Sequence, residues 1–184
     1  MSLSHDEAAD ALKDIRAVER RSASAYGYHM SAPHLILWGV IWMIGYGAAA
    51  IRPAWANVWF PLCVVGGVGS AYIGYRMKGQ ATDASFGWRF FASFVAYCAF
   101  VTAIFTILPP KHDAQVAAFF PIVIAFAYVL MGIWTRAARI ALIGIVIGAA
   151  TMFGFLYLAQ WYDVWLAVIG GGALVAGGLW MRSV

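Results

Sequence analysis

Cys98, Thr102 and Thr106 recur at four-residue steps inside an apolar stretch, so a helix would stack a thiol and two hydroxyls on one face. Such a stripe can line a polar path or pocket. Gly170, Gly171 and Gly172 form the other locally unusual segment, because three consecutive glycines weaken a helix by about 1 kcal/mol each. Together they are the candidate pocket or path residues. The competing reading is plainer: Ser and Thr bond back to their own helix carbonyls, and Gly lets helices approach closely.

Metal and haem chemistry find little support. His29 and His34 sit five positions apart, which turns them about 140° from one another on a helix and prevents both from reaching one ion. His112-Asp113 is an isolated pair, and Cys63 and Cys98 lie in separate apolar segments without C-x-x-C spacing. No metal site and no cofactor are expected. Nucleophilic catalysis needs a base beside the nucleophile, and no apolar segment supplies an Asp, Glu or Lys, so an enzyme is the least supported class. The same lack argues against a proton pump, since coupled transport places ionisable groups within the membrane.

The elements that must position these residues are membrane spans. With 64% hydrophobic and 11% charged residues over 184 positions, the chain cannot cover a soluble surface. Runs at 33–51, 58–75, 90–108, 116–134, 140–158 and 164–181 each approach the length that crosses a hydrocarbon core about 30 Å thick. The expected fold is all-α: six transmembrane helices in three antiparallel hairpins joined by short turns, with residues 33–184 forming the membrane domain and 1–32 preceding it. Of the 12 Lys and Arg, all but Arg52 and Lys111 fall on one side of this arrangement. Cations are retained in the cytoplasm, so both termini are expected there. The net charge of +4 is then a topology signal, leaving no case for nucleic acid.

Within residues 1–32, Ser4 and Glu7 match a capping box, and Ala8, Ala11, Leu12, Ile15 and Val18 recur with helical period. Acids lead and Arg16, Arg20 and Arg21 follow, placing cations beside the bilayer. This predicts an amphipathic helix, with Leu12, Ile15, Arg16, Arg20 and Arg21 meeting lipid or a cytoplasmic partner. A linker over 24–32 then leads to Pro33 as the first residue of the first span. The segment from Ala11 to Ser22, followed by a Gly- and Trp-rich span, resembles the opening of uncharacterised bacterial multi-pass inner-membrane proteins. That resemblance covers about the first quarter of the chain; it implies the inner membrane and no activity.

Small residues predict the packing. Gly66, Ser70 and Gly74, then Gly144 with Gly148, and Gly172 with Ala176 should mark close helix contacts. Trp38, Trp42 and Tyr46 form an aromatic ridge read as core or lipid contact. Trp55, Trp59, Trp161, Tyr162 and Trp165 are read as one interfacial belt. A recurrence of Phe-Pro before Arg at 60–76 and 120–136 fits an internal repeat, and equally fits the ordinary grammar of a span running outside to inside. The expected function is a non-enzymatic regulatory, scaffold or ligand-sensing membrane subunit, with membrane lipids and a homo-oligomeric or cytoplasmic protein partner. The alternative is a small transporter or channel for a neutral or apolar solute.

Overall fold

The computed structural model describes the backbone of residues 5–77 and 85–183, with side chains from residue 27 onward except 56, 85–91 and 94. Its regular structure is helical throughout these residues. Helix α1 spans His5–Ile51, and a 3₁₀ segment, Pro53–Val58, leads into α2, Trp59–Arg76. Then follow α3 (Ser85–Ile107), α4 (Asp113–Trp134) and α5 (Ala138–Tyr157). The last span is composite: a 3₁₀ turn at Ala159–Trp161, α6 at Tyr162–Trp165, a π-helical stretch at Leu166–Gly171 and α7 at Gly172–Arg182.

Among the described residues, five segments are long and apolar enough to cross a membrane: Gly27–Ile51, Pro53–Arg76, Asp113–Trp134, Ala138–Tyr157 and Ala159–Arg182. At the third expected span, 90–108, α3 is a 23-residue helix whose described apolar part is Val95–Ile107. The chain is thus a helical membrane protein by length and composition. Phe60, Val64, Val68, Leu142, Ile145 and Met152 are exposed, an arrangement costly in water and suited to lipid contact.

Two departures from the sequence expectation concern continuity. No linker separates the amphipathic segment from the first span, because α1 runs unbroken through residues 24–32 and carries Pro33 inside it. Proline removes only one donor, the partner of the His29 carbonyl. Burial of Tyr28, Ala32 and Leu35 on either side holds the chain helical there. At 1.5 Å per residue the part ahead of Gly27 adds about 33 Å of helix. The last span, expected as plain helix from 164 to 181, instead begins with short irregular turns and contains the π stretch where its glycines cluster.

The bundle is ordered by close backbone approach. Helix α1 packs along α7 and the π stretch, α2 covers another flank of α1, and α4 pairs with α5, which also touches the last span. At the α1 contact a Cβ on Gly39 would lie 2.8 Å from the Gly171 carbonyl oxygen, and one on Gly171 would lie 2.9 Å from that of Gly39. Gly178 repeats the contact a heptad later, 2.8 Å from the Ala32 carbonyl. The pairing runs down α1 as it runs up α7, so the two are antiparallel. In α4 and α5, Gly132 meets Ala141 and Gly144 meets Ala125 and Val129. Their turn closes through a Schellman motif: Ala137 N–H donates to Gly132 O at 2.9 Å and Arg136 N–H to Ile133 O at 3.3 Å, with Arg136 at φ 54°. Ile147, Leu166, Leu174 and Met181, each at most 2% exposed, fill the interior between α1, α5 and the last span.

Candidate functional site

Pro121 sits inside α4 and is buried. Having no N–H, it leaves the Ala117 carbonyl, four residues earlier, without its helical donor. The Tyr46 hydroxyl of α1 donates to that carbonyl at 2.8 Å. Edge-to-face contacts with Trp42 (5.8 Å) and Trp59 (4.8 Å) fix the Tyr46 ring, and the Trp59 ring in turn lies against Gly45, where a Cβ would come within 2.7 Å of it. A proline in one helix is thereby answered by a hydroxyl from another.

Beside this lock lies a second tyrosine. Tyr162 opens α6, is 4% exposed, and its hydroxyl has no hydrogen-bond partner among the described residues. Its ring packs edge-on against Phe155 at 6.2 Å. Gly154 makes room for the neighbouring Trp165, whose indole N–H donates to Ala150 O at 2.7 Å. Tyr162, Phe155 and Ala159 line a cavity of about 290 Å³ together with His112, Ala114 and Gln115 of the α4 entrance.

Gln115 has a defined orientation. Its Oε1 accepts from Lys111 N–H at 2.6 Å and His112 N–H at 3.3 Å, so the amide NH₂ is the end left over for a further partner. The cavity wall is mostly carbon, with Phe155 and Ala159 on it and the exposed Gln115 amide at its edge; the Tyr162 hydroxyl itself is enclosed, out of reach of a water-sized guest. A volume near 300 Å³ lies at the small end of ligand pockets. Half-buried Asp163 adjoins Tyr162 and opposes an anionic ligand.

The sequence candidates lie elsewhere. Cys98, Thr102 and Thr106 do share a face of α3, but all three are exposed. Thr102 Oγ1 donates to Cys98 O at 2.9 Å and Thr106 Oγ1 to Thr102 O at 2.7 Å, so the hydroxyls are spent on their own helix. Gly170 and Gly171 are buried against Trp42 and against Met43 and Gly39, while Gly172 faces open space. Helix α3, which carries the first group, has no extensive packing among the described residues against the last span, which carries the second. Gly66 and Ser70 work as expected in packing: a Cβ at Gly66 would meet Trp38 at 2.8 Å, and Trp38 Nε1 donates to Ser70 at 3.1 Å. Gly74 of the same row has nothing near it.

Two belt residues are corrected. Tyr162 is buried and Trp165 turns inward to Ala150, whereas Trp55 and Trp161 are exposed as the belt requires. The side chains of Leu12, Ile15, Arg16, Arg20 and Arg21, and the capping residue Ser4, lie outside those described, as does the loop before Ser85. Sequence reasoning missed the Tyr46 lock although its signal was present, since a proline within an apolar span always frees one carbonyl. Nothing in the sequence distinguishes Tyr162 from an ordinary interfacial tyrosine.

No protein-family model matches the chain, and neither a curated protein nor a solved structure matches it. The chemistry of the site is read from its own residues.

Proposed function

We propose that this protein is a non-enzymatic, ligand-sensing subunit of the bacterial inner membrane. In this reading it has six spans in three antiparallel hairpins with both termini cytoplasmic. Its cavity beside Tyr162 faces the opposite side and takes a small neutral acceptor molecule. The helix ahead of Gly27 serves as the regulatory or scaffold arm toward a cytoplasmic partner. The observation that carries this is the cavity lined by Phe155, Ala159, Gln115 and Tyr162, the last of which keeps an enclosed hydroxyl without a partner among the described residues. An unpaired buried hydroxyl costs about 1–3 kcal/mol, and a ligand acceptor that reaches it after a side-chain shift would recover that. Continuity of α1 from the arm into the bundle supports a mechanical link, because Tyr46 near one end and the arm at the other belong to one helix.

The test is a thermal-shift titration of purified protein with cyclohexanone, benzamide and 1,4-naphthoquinone, repeated on Tyr162→Phe. Saturable stabilisation of the wild type that is lost in the variant supports the reading. Equal response of both proteins, or of neither, removes it. Deleting residues 1–25 and measuring partner co-purification tests the arm, and undiminished capture counts against it.

A second reading, a transporter or channel for a neutral solute, is favoured by the π-helical stretch at Leu166–Gly171, since such irregular turns concentrate at functional sites. The buried side chains beyond the cavity oppose it. Solute flux through proteoliposomes that responds to Gly170→Ala would favour transport over sensing.

A further inference from the structure

At the end of the bundle away from Tyr162, the start of α5, the end of α7 and the middle of α1 converge on one guanidinium. Arg139 lies in the first turn of α5; its Cζ stands 4.5 Å from the centroid of the Trp180 ring of α7 and 5.5 Å from that of Tyr28 of α1. Its Nη1 donates to the Trp180 carbonyl at 2.9 Å. Stacking and this one bond fix the guanidinium plane. The Nε and Nη2 donors have no acceptor among the described residues, and together they form the edge that bonds two oxygens of one phosphate.

From this geometry we propose that Arg139 holds the phosphate of an anionic phospholipid headgroup. Charge supports it. The described carboxylates, Asp113 and Asp163, belong to the opposite end. Arg136, three residues earlier, and Arg182, two residues after Trp180, are exposed and add positive charge at the same end. A cation in a first helical turn also opposes the helix dipole, a cost that a bound anion removes.

Depth and surface favour a lipid over a soluble anion. Trp134 is 85% and Trp180 42% exposed, in keeping with aromatic rings at headgroup level. Leu142 and Val146 follow Arg139 on α5 at helical spacing and are exposed, providing an apolar lane for an acyl chain directly below the guanidinium. The three arginines select a headgroup with net negative charge, such as phosphatidylglycerol, over a zwitterionic one.

The experiment is native mass spectrometry and thermal shift of the full chain in neutral detergent. Dioleoyl-phosphatidylglycerol, dioleoyl-phosphatidylcholine and inorganic phosphate are added separately, using wild type, Arg139→Gln and Arg139→Lys. The expected result is a retained phosphatidylglycerol adduct on the wild type, with phosphatidylcholine and phosphate binding at least tenfold more weakly. Arg139→Gln should lose at least tenfold in affinity. Arg139→Lys, which keeps the charge and loses the two-donor edge, should fall between. Equal binding of the two lipids, equal stabilisation by inorganic phosphate, or unchanged affinity in the variants overturns the assignment. If Arg139→Gln does not fold, Arg139→Lys and the lipid selectivity of the wild type still decide.

Discussion

The Tyr46–Ala117 lock makes a quantitative prediction because its cause is identified. In the wild type the Ala117 carbonyl depends on the Tyr46 hydroxyl, 2.8 Å away, since Pro121 has no N–H to offer. Tyr46→Phe keeps the ring and its contacts with Trp42 and Trp59 and removes only the donor. An orphaned buried carbonyl costs about 1–3 kcal/mol in general, while interhelical hydrogen bonds measured within membranes average about 0.6 kcal/mol. About 1 kcal/mol, roughly a fivefold change in the folding equilibrium, is the expected loss. Pro121→Ala restores an N–H that closes the helix onto Ala117. In that background Tyr46→Phe should cost no more than about 0.3 kcal/mol, giving a coupling of about 0.7 kcal/mol across the double-mutant cycle. Reversible unfolding in mixed dodecylmaltoside and SDS micelles, followed by tryptophan fluorescence, measures all four proteins. Additive losses would refute the claim that the proline is what makes the tyrosine necessary.

Three further outcomes check the packing. Gly171→Ala sets a Cβ 2.9 Å from the Gly39 carbonyl and should lower the unfolding midpoint by the equivalent of at least about 1 kcal/mol. Gly47→Ala, with nothing within 4 Å, should instead raise stability by up to about 1 kcal/mol; the same denaturation assay separates the two. Arg136→Gly removes the side chain from a backbone at φ 54° and should stabilise the α4–α5 turn by about 1 kcal/mol, so a loss of stability there would contradict the Schellman assignment. Thr102→Val and Thr106→Val should change stability by less than about 0.5 kcal/mol and leave any response to cavity ligands intact, because both hydroxyls bond only within α3.

Much of the helix inventory was legible before any coordinates. Apolar runs of span length lie within helices in the structure because, in lipid, a helix alone satisfies its own backbone groups. Packing was legible in part. Gly66, Ser70, Gly144 and Gly148 announced themselves through four-residue spacing, whereas Gly39, Gly171 and Gly178 did not, since their pairing is set by a crossing between the first and last spans. The Cys98–Thr102–Thr106 stripe misled for a physical reason: spacing shows which residues share a face, and leaves undecided which way the face turns.

The amino-acid sequence by itself determined that this chain is built for a membrane and that its apolar spans carry no acid, lysine or arginine. Composition and local hydrogen-bond economy suffice for both. Only the tertiary structure decided that Tyr162 leaves the interfacial belt for the interior, that Tyr46 answers Pro121, and that Arg139 is clasped between Tyr28 and Trp180. Each of these joins residues far apart in the chain, and such pairings depend on how whole helices rotate and cross, which no local spacing encodes.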